Sequence, residues 1–195
     1  MSAPSETRSA WSILPLDPDD APTIDEVLAL NEHWVPHVGS IGRDALRALV
    51  EAADLAVVAV PSGSGDGGDP EGGDLEGGAV DGFLILIAPG ADYASPNYRY
   101  FQDRLDAGTA PGPFRYVDRI AVSPRAQGRG LGRVLYDAAV ERAVAVGAAE
   151  VTCEVNLEPP NPDSLAFHDR LGFVPVGTQW TYDGTVRVQL MARPV

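Results

Sequence analysis

An α/β (α+β) domain is what this sequence predicts, on three observations. An apolar, β-branched strand ending at Val122 runs into a glycine-rich turn that opens directly onto an amphipathic helix reaching about Ala143. Two helical segments and then two apolar strands precede that unit. A second strand–helix step and a terminal hairpin follow it.

Residues 1–10 read as a flexible tail. A short strand near Trp11–Leu16 leads to a helix capped around Asp19 and running towards Trp34, with Ile24, Val27, Leu28 and Leu30 near helical spacing. Arg43–Ala53 reads as a second helix with Leu46, Leu49 and Val50 turned inward. Strands are expected at Leu55–Val60 and Val80–Ala88. Between them, residues 61–78 are so rich in Gly, Asp and Glu that they read as a disordered loop. Residues 89–114 read as irregular, with Tyr93, Tyr98, Tyr100 and Phe101 bunched together either to cover the sheet or to shape a functional loop.

From Tyr116 the order is strand, helix, strand, helix. The first of these helices, opening after Gly130, is expected to bury Leu131, Val134, Leu135 and Ala138. After the strand Val151–Asn156, Asn161 is a good N-cap with Pro162 at the first helical position, and Gly172 ends the helix. Val174–Thr181 and Thr185–Ala192 read as a hairpin about Asp183-Gly184. No repeat and no second domain are visible, so residues 11–195 are expected to form one domain.

Composition narrows the function classes. With 195 residues, 45% of them apolar, the chain can build an adequate core. It has no stretch approaching a membrane span, and its first ten residues lack the apolar core of a signal peptide. A net charge of −14 argues against nucleic acid and anionic membrane as partners. The single cysteine, Cys153, allows no internal disulfide and suits a reducing cytoplasm; inside an apolar strand it reads as a small core residue rather than a nucleophile. Three histidines (His33, His37, His168) and scattered carboxylates show no metal-ligand spacing, so no metal is expected.

The glycine turn carries the strongest chemical signal. Gly128, Gly130 and Gly132 fall on alternate residues, with Arg125, Arg129 and Arg133 around them. Glycines let the backbone approach an anion, and a helix N-terminus offers unpaired N–H groups at the positive end of its dipole. The turn therefore reads as a phosphate cradle. It is no Walker loop, because the chain has no lysine, and it lacks the GxGxxG spacing of a dinucleotide fingerprint.

What remains is R-x-x-G-x-G, Arg125 to Gly130, behind the strand end Ile120-Ala121-Val122. This resembles the cofactor motif of the GNAT N-acetyltransferases. A second run, Asn161 to Phe173, resembles the family's N-x-x-A-x-x-x-Y-x-x-x-G-F, matching at Asn161, Ser164, Gly172 and Phe173 but with His168 where the family has Tyr. The lead-in Asp92–Phe101 and the run Glu154–Pro162 also resemble a bacterial subgroup of predicted acetyltransferases.

The resemblance implies a mixed central sheet of about six to seven strands flanked by about four helices. It implies acetyl-CoA as cofactor, transfer without a covalent enzyme intermediate, and a small-molecule or amino-acid-like amine as acceptor, and it leaves a homodimer open. By resemblance, Ile120, Ala121 and Val122 would pair with the pantetheine arm. Arg125, Gln127, Gly128, Arg129, Gly130, Leu131, Gly132 and Arg133 would surround the pyrophosphate, and Asn156, Asn161, Ser164, Phe167 and His168 would complete the cofactor site. A non-catalytic acyl-CoA-sensing module and a protein Lys or N-terminal acetyltransferase remain alternatives.

Acetyl transfer needs a neutral amine and a proton for the departing thiolate. Asp118 is the first candidate base; strict strand alternation puts it on one face with Tyr116, Ile120 and Val122, where apolar neighbours would raise its pKa. Glu154 is the second candidate base. His168, in place of the family's tyrosine, would donate the proton to the thiolate. Asn31, Glu32 and His33 at the end of the first helix, and Tyr93, Asn97, Tyr98, Tyr100 and Tyr116, are candidates for the acceptor site.

Overall fold

The structure, a computed structural model, describes residues 10–62, 80–181 and 183–195. The expected tail and most of the Gly/Asp/Glu-rich loop lie outside the described residues. Seven strands form one sheet in the order β1-β2-β3-β4-β5-β7-β6. These are β1 (Trp11–Pro15), β2 (Leu55–Pro61), β3 (Gly82–Ile87), β4 (Phe114–Val122), β5 (Glu150–Glu158), β6 (Val174–Thr181) and β7 (Val186–Pro194). The helices are α1 (Ala21–His33), α2 (Arg43–Ala52), α3 (Pro96–Asp106), α4 (Leu131–Ala145) and α5 (Pro162–Arg170).

The sheet is sandwiched between two layers of helix. On one face, α4 and α5 pack Leu131, Leu135, Tyr136, Ala139, Ala143 and Leu171 onto Leu84, Leu86, Val117, Val151 and Val155. On the other, α1, α2 and α3 pack Ile24, Val27, Leu46, Leu49, Tyr98 and Phe101 onto Phe83, Ile85, Phe114, Tyr116 and Leu190. β3 is buried at every position, as a strand covered on both faces must be.

Two sequence expectations are corrected here. The stretch 89–114 is not irregular throughout: Ser95 accepts a hydrogen bond from Tyr98 N, Pro96 takes the first helical position, and α3 follows. Along α4 the buried stripe is Leu131, Leu135, Tyr136, Ala139 and Ala143, rotated from the expected one, so Tyr136 points inward.

Two features of β4 position the site. It pairs in parallel with β5 only from Phe114↔Glu150 to Tyr116↔Thr152; beyond Tyr116 the two strands part. Against β3, the register jumps from Leu86↔Val117 to Ile85↔Arg119, leaving Asp118 as the extra residue of a β-bulge. Alternation therefore slips by one. Tyr116, Arg119 and Ala121 address the α1–α3 layer, and Val117, Ile120 and Val122 address the α4–α5 layer. The expectation that Asp118 shares a face with Ile120 and Val122 fails for this reason.

Candidate active site

The parting of β4 and β5 opens a cavity of about 820 Å³ that runs from the glycine turn, through the gap in the sheet, to the connection after α1. Its three walls differ in chemistry.

At one end lies the turn. Gly128 (φ 70°) and Gly130 (φ 92°) adopt left-handed backbone, which a side chain would strain, and no atom lies within 4 Å of where a Cβ would project. Gly130 is the N-cap of α4 with no side chain bonded to its first N–H groups; Arg133 N donates to Gly130 O at 3.1 Å, which leaves those of Leu131 and Gly132 for an anion. Gln127, Gly128, Gly130, Leu131, Gly132 and Arg133 all line the cavity here.

The other two arginines point elsewhere. Arg125 Nε donates to Asp81 Oδ1 at 2.5 Å, and Arg129 sits over the Trp11 ring at 5.1 Å. Buried Asp81 also accepts from Trp11 Nε1 (2.9 Å) and Ser123 Oγ (3.0 Å), while its carbonyl accepts from Ser123 N (2.7 Å). Arg125 thus ties the turn to the start of β3 rather than lining the cavity. Its pull, with the other two donors, holds Asp81 below the usual carboxylate range despite the opposing cost of burial.

Along the middle runs the free edge of β4. The Ser123–Asp81 bond sets the phase of the antiparallel ladder, so Arg119 and Ala121 turn their N–H and C=O groups to β3. Ile120 and Val122 turn theirs to the gap, where Trp34 Nε1 already donates to Val122 O at 3.0 Å. Asn156, Asn161, Ser164, Phe167 and His168 line the facing wall. An extended polyamide could add to this edge as a strand, so the residues present fit a pantetheine arm as well as its pyrophosphate.

At the far side two carboxylates face the cavity. Asp118, its side chain 6% exposed, accepts from Tyr93 Oη at 2.6 Å and lies 3.3 Å from Arg119 Nε, without hydrogen-bond geometry, leaving Oδ2 without a hydrogen-bond partner. Burial pushes its carboxyl above the usual range against the pull of Arg119 and Tyr93. Glu154 accepts from Tyr116 Oη (2.8 Å) and from Asn97 Nδ2 (2.9 Å), and Asn97 in turn accepts from Gln179 Nε2 at 2.5 Å. Burial, then the charge of Asp118, push Glu154 up to about 8.

Below the gap, on the α4–α5 side, His168 is 4% exposed. Its Nδ1 lies 2.7 Å from the Ser164 carbonyl, which can only accept, so Nδ1 carries the proton. Its Nε2 then accepts from Tyr136 Oη at 2.6 Å. Burial lowers the imidazole pKa, so the neutral ring holds. In this arrangement neither ring nitrogen has a proton to offer the cavity, which corrects the expectation that His168 is itself the donor.

Among the acceptor candidates, Tyr93 lines the cavity and Tyr116 holds Glu154 from behind. Asn31, Glu32, His33, Tyr98 and Tyr100 do not line it. Tyr98 is a core residue bonded to Ala88 O, and Tyr100 ties α3 to Val176 O on β6. Asn31 is buried, accepting from Arg119 Nη1 at 2.8 Å. Asn97, a candidate for the acceptor site, instead holds Glu154. Sequence reasoning passed over Trp34 and Tyr136; Tyr136 had a signal in standing four residues after Gly132 on the same helix face.

Among the described residues no cluster of three His, Cys, Asp or Glu could hold a metal, and no helix is long and apolar enough to cross a membrane.

Comparison with known proteins agrees with this geometry. The Acetyltransferase (GNAT) family profile matches residues 90–173, which contain the turn, the β4–β5 gap and α5. Among solved structures, the NatC complex bound to Gag peptide and CoA superposes with a TM-score of 0.67 at 14% identity, covering 96% of this chain and 99% of that one. Ard1 from Thermoplasma volcanium gives 0.66 at 17% identity, covering 96% and 99%. A GCN5-related N-acetyltransferase from Kribbella flavida gives 0.62 at 18% identity, covering 95% and 98%. No curated protein matches. The fold is that of the GNAT acetyltransferases, and the family profile falls on the segment that builds the cavity.

Proposed function

We propose that this GNAT-type acyltransferase moves an acetyl group from acetyl-CoA directly to a primary amine of a small molecule or an amino-acid-like acceptor. One observation carries the reading: a single cavity joins an anion-holding backbone turn, a free strand edge and a buried carboxylate pair.

The turn from Gln127 to Arg133 would hold the pyrophosphate through backbone N–H groups, with Arg133 adding charge. The free groups of Ile120 and Val122 would hold the pantetheine arm, and Asn156, Asn161, Ser164 and Phe167 would wall it in. When bound, acetyl-CoA supplies a thioester carbonyl for the amine to attack. An amine arrives as an ammonium ion, and Glu154, pushed up to about 8, is matched to accept its proton near neutrality. Asp118 draws the cation in, and its charge keeps Glu154 proton-hungry; it stands second as the base. Tyr93, Tyr116 and Asn97 hold the two carboxylates in place.

Direct transfer is favoured over a covalent intermediate because Cys153, the chain's one thiol, is pushed well above its ordinary range by burial. A module that merely sensed acyl-CoA would have no use for two carboxylates buried at a cost beside its ligand.

The first experiment is the melting temperature with saturating acetyl-CoA, ATP or NAD, followed by CoA release with a panel holding a polyamine, an aminoglycoside, free amino acids and a short peptide. At about 100 times its Kd, acetyl-CoA should stabilise the fold by about 2.7 kcal/mol. ATP and NAD should add little. No shift with acetyl-CoA would overturn the reading. Turnover of the peptide alone would move the acceptor class to proteins.

A further inference from the structure

We propose that the acceptor is an apolar primary amine carrying a single positive charge, with no carboxylate beside its nitrogen, and that the pairing of Arg119 with Asp118 is what excludes amino acids. This rests on the function proposed above and narrows its acceptor class.

Charge is scarce on the acceptor side of the cavity. Of the charged residues that line it, Arg133 stands on α4 and Asp163 and Arg170 on α5, across the sheet from the α1–α3 layer. That leaves Asp118, Arg119 and Glu154, with His37 exposed on the connection after α1. The side chains of Arg119 and Asp118 are 12% and 6% exposed and lie 3.3 Å apart, so each offsets the other's charge. Arg119 is also held from behind, its Nη1 donating to Asn31 Oδ1 at 2.8 Å and to Gly39 O at 2.5 Å. The bulge at Asp118 permits this, because it turns Arg119 towards the end of α1.

These three side chains therefore present one net negative charge when Glu154 is ionised and none when it is protonated. A bound ammonium balances the first state. Once it has given its proton to Glu154, the neutral amine balances the second. An amino acid would leave its carboxylate uncompensated in both states, and a diamine its second ammonium. A charge taken out of water without a partner is costly, so both should be poor acceptors. The surrounding walls are apolar. Trp34, Tyr93, Val186 and Val188 line the cavity and pack with the α1–α3 layer, offering surface to a carbon skeleton and no cation to a carboxylate.

An amino acid and its decarboxylated amine differ by the one group in question. With acetyl-CoA saturating and CoA release followed, wild-type kcat/KM for phenethylamine should exceed that for phenylalanine by about 100-fold or more. Phenylalaninamide, as bulky as phenylalanine but without its negative charge, should recover most of that loss. Butylamine should exceed putrescine by about tenfold. Asp118→Asn removes the counter-charge of Arg119. It should slow every acceptor, yet the preference for phenethylamine over phenylalanine should shrink by about tenfold or more. Phenylalanine used as well as phenethylamine overturns the proposal, as does putrescine used better than butylamine. Phenylalaninamide as poor as phenylalanine would make the barrier one of size and overturn it too. An unchanged preference in Asp118→Asn would overturn the part given to Arg119. No turnover of phenethylamine by protein that acetyl-CoA stabilises would sink this inference alone. Absence of that stabilisation would bring down the proposed function itself, before any acceptor was compared.

Discussion

The two ends of the cavity are built on opposite principles. The turn end is made of backbone: of seven consecutive residues, Gln127 to Arg133, six line the cavity, and two positive-φ glycines permit the curve. The carboxylate end is made of side chains from four separate segments, contributing Tyr93 and Asn97, Asp118, Glu154 and Gln179. Local backbone needs only local sequence and carries its charge as fixed dipoles, at no cost in burying an ion. Side chains gathered from afar can be tuned, because burial and mutual charge move their protons, but they exist as a site only once the sheet has formed.

The contrast can be broken or sharpened by mutation, and the largest effect belongs to the tuned end. Glu154→Gln should lower kcat by about 100-fold or more while leaving the Kd for acetyl-CoA unchanged, since base catalysis is worth roughly that much. Wild-type kcat should rise with pH through about 8 as Glu154 loses its proton, and the variant should lose that limb.

The same variant has a stability signature of definite sign. The folded value lies above the ordinary 4.5, so between about 4.5 and about 8 the folded protein holds a proton that the unfolded chain has shed. Stability must then fall as pH rises through that window, by at most about 1.4 kcal/mol per unit. Urea denaturation at pH 5 and pH 8 should show the slope in the wild type and a smaller one in Glu154→Gln, where the raised Asp118 still contributes.

Between the two ends, Asp81 supports the turn from outside the cavity. Asp81→Ala removes the carboxylate that accepts from Trp11 Nε1, Ser123 Oγ and Arg125 Nε. It should cost about 2 kcal/mol in denaturant titration, and weaken acetyl-CoA binding a few-fold by calorimetry. At the turn itself, Gly130→Val puts a β-branched side chain at φ 92°, where it projects into the cradle. The Kd for acetyl-CoA should rise at least tenfold, about 1.4 kcal/mol, with kcat at saturation little changed. Should Gly130→Val cut kcat and spare Kd, the division between the ends would be wrong.

The elements were largely legible in the sequence because each had a local cause. Gly130 before an amphipathic run, and Asn161-Pro162 at a helix start, place α4 and α5 within a residue or two. α3 had the same kind of signal in Ser95-Pro96, outweighed by the cluster of aromatic residues after it. Those aromatics show the limit of reading residue type. Tyr93 reaches Asp118, whereas Tyr98 and Tyr100, five and seven residues on, are turned by the helix to Ala88 and Val176.

Asp118 shows a second limit. Alternation along β4 is a sound rule for an unbroken strand, but the bulge belongs to the pairing with Leu86 and Ile85, more than thirty residues away. Likewise His168 could be recognised by its place in a motif, but its tautomer depends on Ser164 O and Tyr136. By itself the sequence determined the order of the strands, of every helix but α3, and the glycine turn, because helix caps, periodicity and positive-φ glycines act over a few residues. Only the tertiary structure decided which carboxylates are buried together and how far their protons are held, because burial, charge proximity and hydrogen-bond partners come from segments that meet only when β4 and β5 pair and then part.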